Sequence, residues 1–138
     1  MLQVNENLYI GNTAEFGEAA TLESAGIQVA VATGGWHGFP HSEIVMPLAV
    51  LIYPDMPSWG LRGLAVLLAD VYAVRVMSVH DRAGGYTEAT FLLACTYAQK
   101  LGRSFDQGLE WMRGLIETET ARVQISPGLQ LLGQETWP

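Results

Sequence analysis

Apolar runs and stretches with three-and-four apolar spacing alternate along the 138-residue chain. Val4 and Leu8-Tyr9-Ile10 predict a short strand, after which Gly11-Asn12-Thr13 supplies a turn and a cap for a helix over about 14–25, stopped by Gly26. Ile27 to Ala32 is a partly β-branched run bounded by glycines, as a strand buried on both faces requires. A loop from Gly34-Gly35 through Trp36-His37-Gly38-Phe39-Pro40-His41 leads to a strand at Ile44-Val45-Met46, and the next apolar segment ends in loop at Tyr53-Pro54-Asp55-Met56-Pro57. Leu61, Leu64, Leu67, Leu68, Val71 and Tyr72 follow helical spacing and are expected on one buried face. Val74 to Val79 reads as strand. Glu88 to Leu101 is apolar nearly all round, the pattern of a helix covered by its neighbours, and Gly102 ends it. Ser104 with Gln107 makes a capping box for a helix to about Glu117, and Pro127 opens a last helix to Gln134.

Strands alternating with helices, without a linker or repeat, predict one α/β domain over 1–138, a sandwich built on a largely parallel sheet. With 49% hydrophobic residues and only 15% charged, the chain can bury a core without disulfides or a structural metal. Fourteen acidic against seven basic residues leave a net charge of −7, which repels nucleic acid and anionic membrane surfaces. Cys95, the only cysteine, lies among Leu92, Leu93 and Ala94 and reads as a buried, inert thiol in a reducing compartment. The first residues lack a basic segment and an apolar stretch, and Asp70 interrupts the apolar run Leu64 to Ala69 far short of bilayer length. A cytoplasmic protein is expected.

In a parallel sheet, ligands gather where strands end and helices begin, because backbone N–H groups and the helix dipole favour anions there. Val79 to Glu88 is such a junction. Here the chain resembles the cysteine-dependent dual-specificity and tyrosine phosphatases, whose motif runs His-Cys, two residues, Gly, two residues, Arg, then Ser or Thr. His80 and Gly84 match it. Leu8-Tyr9-Ile10-Gly11-Asn12 is similar to the family's opening strand, Ala25-Gly26-Ile27 precedes the second, and Asp55 falls in the family's general-acid loop. Ala89-Thr90 and Ala94, Gly108-Leu109-Glu110-Trp111, and Ile125-Ser126-Pro127-Gly128-Leu129 resemble its later helices. The resemblance implies an α/β sandwich with helices on both faces of the sheet, and a phosphate loop formed by His80, Asp81, Arg82, Ala83, Gly84, Gly85, Tyr86 and Thr87.

The departures are chemical. Asp81 stands at the nucleophilic cysteine position, Thr87 at that of the phosphate-binding arginine, and Glu88 at that of the hydroxyl that helps the thiolate leave. A carboxylate is a far poorer nucleophile than a thiolate, and a threonine hydroxyl offers one neutral donor where arginine offers a charged bidentate fork. An Asp81 carboxylate about 4 Å from a phosphate would repel it by on the order of 4 kcal/mol per charge pair at an effective dielectric near 20. Gly84 and Gly85 still allow the tight loop, so Asp81 itself is expected to accept from the donors that phosphate satisfies in an active relative.

The expectation is therefore a catalytically inactive phosphatase-fold protein that works as a binding or regulatory module. Its acidic cleft would suit a protein or a small neutral or basic ligand, with Trp36, His37, Phe39 and Trp59 on the rim and no cofactor. The alternative is a hydrolase of altered chemistry, with Asp81 as nucleophile or base, Asp55 as residual general acid, and His80 and Glu88 holding a divalent cation. The simpler assignments are that His80 orients the loop, His37 and His41 are solvated loop residues, and Asp55 caps a turn. Arg82 is expected to pair with Asp81 or Glu88. The oligomeric state is open.

Overall fold

In a computed structural model, residues 1–34, 45–81, 86–116 and 123–138 are described. Strands β1 (Leu2–Asn5) and β2 (Leu8–Asn12) are followed by the short helices α1 (Thr13–Phe16) and α2 (Ala19–Ser24). Next come β3 (Val29–Thr33), β4 (Met46–Val50), α3 (Ser58–Val74), β5 (Met77–Asp81), α4 (Thr87–Leu101), α5 (Phe105–Ile116) and α6 (Pro127–Thr136). The five strands form one sheet in the order β1-β2-β5-β3-β4. Only β1 runs antiparallel to its neighbour; β5 lies in the middle, parallel to β2 and β3.

Side chains alternate across this sheet and split the core in two. Leu8, Ile10, Val29, Val31, Met77 and Val79 pack with α3 to α6, whereas Ala30 and Ala32 pack with Phe16, Leu22 and Ile27 from the α1–α2 side. Helices cover both faces, as the resemblance implies. α4 is the helix buried on nearly every side, from Ala89 through Ala98. Cys95 lies within it, and burial pushes its thiol pKa up. Gly102 closes α4 in the left-handed conformation at φ 63°, and Ser104 and Gln107 exchange the two hydrogen bonds of a capping box, at 3.2 and 3.1 Å.

Several boundaries differ from the pattern reading. Val4 and Leu8 belong to two strands of a hairpin, because Asn5 to Asn7 turns the chain, with Asn7 N donating to Asn5 Oδ1 at 3.0 Å. The expected helix over 14–25 is broken at Gly17-Glu18 into α1 and α2, glycine being a poor residue for a helix interior. Ile44 of the expected strand lies outside the described residues, and β4 runs on from Met46 to Val50. α3 continues through Val74, delaying β5 to Met77; Arg75, which ends α3 in an extended conformation, is the one charged residue at the change, and it is neither a glycine nor a proline. Leu67 is not on the buried face of α3 but 49% exposed, since Leu61, Ala65, Leu68 and Ala69 make the inward stripe.

α5 crosses α4 at Gly108. A Cβ there would lie 2.5 Å from the Ala94 carbonyl oxygen and 3.2 Å from its carbon, backbone atoms of a helix that cannot move independently. Gly108→Ala is expected to lower stability by about 2 kcal/mol through forced separation of the two helices, read from the urea midpoint at unchanged m value.

Candidate functional site

β5 ends in the middle of the sheet, and its last two side chains leave on opposite faces. His80 points to the α1 side and Asp81 toward the start of α4. Both are buried, Asp81 at 3% exposure. This is the strand-to-helix junction singled out from the sequence, and backbone N–H groups converge there at the α4 start.

The Asp81 carboxylate takes up that position. Its Oδ2 accepts from Glu88 N at 2.6 Å and from Ala89 N at 3.2 Å, N–H groups of the first turn of α4 that have no partner within the helix. The negative charge sits where the helix dipole favours it. Tyr86, the residue just before α4, is held in the left-handed conformation at φ 58°, ψ 19°, a backbone region that a tyrosine enters at some cost. Its carbonyl accepts from Thr90 N at 2.8 Å, and burial together with the Glu15 charge raises its phenol pKa. Thr87 opens the helix, and Glu88 brings a second carboxylate whose Oε2 is buried with no hydrogen bond among the described residues.

His80 is locked by three contacts. Nδ1 lies 2.9 Å from the Asn12 carbonyl oxygen; a carbonyl only accepts, so Nδ1 carries the proton. Nε2 of the neutral ring then accepts from Ser78 Oγ at 2.7 Å. The Phe16 ring meets the imidazole edge-on at 5.4 Å between centroids. Burial, partly offset by the Asn12 carbonyl and the Glu15 charge, brings the His80 pKa down to about 4. Gly11 makes this placement possible, because a Cβ there would come within 2.9 Å of His80 Nδ1. Asn12 belongs to the same network: its side chain accepts from Glu15 N at 2.9 Å and Glu15 Oε1 accepts from Asn12 N at 3.0 Å, a capping box that starts α1. The turn and cap expected of Gly11-Asn12-Thr13 are thus formed, with Asn12 as the capping residue and Glu15, three positions later, completing the box.

The structure thus brings His80, Asp81, Tyr86, Thr87 and Glu88 to one junction. Asp55 is exposed in the turn closed by Met56 N on the Tyr53 carbonyl at 3.1 Å. Trp59, expected on the rim, stands at the start of α3 and is 80% exposed. Arg82, Ala83, Gly84 and Gly85 of the loop, and Trp36, His37, Phe39 and His41, lie outside the described residues. Among the described residues no three His, Cys, Asp or Glu side chains are grouped to hold a metal ion, and no helix is long and apolar enough to cross a membrane.

No protein-family model and no curated protein sequence matches the chain. Solved structures do. Human DUSP28 superposes with a TM-score of 0.78 at 18% identity, over 99% of this chain and 94% of that one. A mouse putative dual specificity phosphatase complexed with zinc tungstate gives 0.78 at 19% identity, over 98% and 84%. The human tyrosine phosphatase-like serine/threonine/tyrosine-interacting protein gives 0.77 at 12% identity, over 98% and 93%. Element order, the parallel sheet centred on β5 and the strand-to-helix junction at its end, taken with these superpositions, show that the chain has the dual-specificity phosphatase fold.

Proposed function

We propose that this chain is a non-catalytic member of its fold, a binding or regulatory module whose anion site is filled by its own Asp81. One observation carries the reading: the Asp81 carboxylate accepts hydrogen bonds from Glu88 N and Ala89 N at the head of α4. Donors aimed at a bound carboxylate are not available to a phosphate, and the two negative charges repel. Thr87 stands where the phosphatase motif has its arginine, so the charge that grows on a transferring phosphoryl group meets no cation from that position. With Asp81 engaged as a helix cap, its Oδ2 is held by two backbone donors, which lowers its reactivity as a nucleophile.

The ligand such a site selects is neutral or basic, a peptide or protein segment in preference to a phosphorylated one. The superposition on a human protein named as phosphatase-like and interacting is in keeping with a role of that kind. Aryl phosphate hydrolysis by the purified chain, alone and with Mg²⁺, Mn²⁺ or Zn²⁺, tests the reading. Wild type and Asp81→Ala are both expected to be silent. Turnover by the wild type that disappears in Asp81→Ala would make the chain a carboxylate-dependent hydrolase instead.

A further inference from the structure

The outer face of α3 and the neighbouring edge strand β4 carry apolar side chains that no described residue covers. Trp59 is 80% exposed, Val74 68%, Met46 65% and Leu67 49%. Met46, Leu67 and Val74 share one groove of about 490 Å³ with Leu48, Val71 and Arg75. Isolated exposed apolar residues are ordinary, but Met46, Leu67 and Val74 gathered around one groove, with Trp59 further along the same helix, make a candidate interaction surface.

Two observations decide what covers it. The first is charge. Residues 45–80 hold two acids, Asp55 and Asp70, and two bases, Arg62 and Arg75, so this segment is neutral and the net charge of −7 lies wholly in the rest of the chain. Two copies that meet on this segment bring no net charge together, whereas the remainder, acidic as a whole, repels its counterpart. The second is the strand edge. Met46 N donates inward to Gln28 O and Val50 O accepts inward from Gly34 N, so the outward backbone positions of β4 are Pro47 and Ala49. Pro47 has no N–H to offer, which disfavours an added strand, and the occupant has to be held by side chains.

We propose that this face is a two-fold interface between copies of this chain, with α3 packed antiparallel on α3 of the second copy. An axis beside Leu67 sets Leu67 against its counterpart and brings each Trp59 to the Arg75 end of the other helix, where guanidinium and indole attract. The exposed side chains of Trp59, Val74, Met46 and Leu67 offer on the order of 500 Å² per copy, below the roughly 800 Å² that each partner contributes to a standard interface, so the dimer is expected to depend on concentration.

Light scattering with size-exclusion chromatography, run on the full chain from micromolar to near-millimolar concentration, tests the proposal. Wild type is expected at twice the chain mass, and more so at high salt, because salt screens the repulsion between two acidic bodies and leaves an apolar contact intact. Leu67→Glu and Val74→Glu each change an exposed position and are expected to raise the dimer Kd more than tenfold while retaining the wild-type circular dichroism. Leu131→Glu, at an exposed leucine on α6, is expected to leave the dimer unchanged. A wild type that is monomeric throughout would overturn the proposal and assign the face to a different partner. A dimer that survives both α3 substitutions, or is lost only in Leu131→Glu, would overturn it as well.

Discussion

Replacing Asp81 by alanine is expected to lower folding stability by about 3 kcal/mol, since each buried donor left unsatisfied costs roughly 1–3 kcal/mol and a lost helix cap falls in the same range. Glu88 N and Ala89 N both lose their acceptor. Asp81→Asn retains the shape and one acceptor oxygen, so its loss should be smaller, about 1 kcal/mol. Chemical denaturation gives both numbers. The ligand response separates a plain cap from an occupied anion site. With the carboxylate gone, inorganic phosphate can reach the same N–H groups, and at ten times its Kd a ligand adds about 1.4 kcal/mol of stability. Phosphate should therefore raise the melting temperature of Asp81→Ala and leave that of the wild type unchanged. Equal stability of Asp81→Ala and wild type would mean that the carboxylate does not hold the head of α4.

Acidification should weaken the fold through His80. Burial lowers its pKa from the ordinary 6.5 to about 4, so between these values the unfolded chain binds a proton that the folded chain does not. Stability is then greatest above pH 6.5 and falls as the pH drops toward 4, by about 3 kcal/mol for a shift of this size. His80→Asn removes the titrating group, while its amide can still donate to the Asn12 carbonyl. The variant should be less stable at neutral pH, having lost the Ser78 and Phe16 contacts. Its further loss on going from pH 7 to pH 4 should be smaller than that of the wild type by about 3 kcal/mol. Identical pH dependence in the two proteins would contradict a neutral, buried His80. Because His80 pairs through the sheet with Gly11 and Ala32, such a loss opens the centre of the sheet, next to the Asp81 junction.

The strongest sequence signals were those with a local cause. Gly102 ends α4, Ser104 and Gln107 cap α5, and Ser126 with Pro127 opens α6, where Ser126 Oγ accepts from Leu129 N at 3.4 Å. Each of these residues acts within a few positions of itself, so its meaning is visible in the string. Boundaries without a local mark were harder to see. The stretch from Val71 to Val79, mostly apolar but holding Arg75 and Ser78, suits helix and strand alike, since arginine stops neither, and packing decides that α3 keeps Val74 while β5 starts at Met77. Leu67 follows the same spacing as the buried Leu61 and Leu68, yet the breadth of the buried stripe, set by what α4 and the sheet can cover, leaves it half in water.

The candidate site was legible for a different reason. His80 and Asp81 close a buried strand and precede an apolar helix, which identifies the junction, and a carboxylate ahead of a helix start is a cap by its chemistry. The sequence did not show that Ser78 and Asn12 together fix the His80 tautomer, since these residues meet only when β2 and β5 pair in parallel register. Nor did it show the left-handed Tyr86, because a tyrosine rarely enters that region and nothing in its side chain marks it.

The chain's own carboxylate accepts the N–H groups at the head of α4 that would otherwise face an anion. Isothermal titration of inorganic phosphate into the wild-type protein, with Asp81→Ala measured in parallel, addresses it most directly. The wild type should give no binding heat, and Asp81→Ala should bind phosphate weakly but saturably. Saturable phosphate binding by the wild type, undiminished or lost in Asp81→Ala, would contradict it.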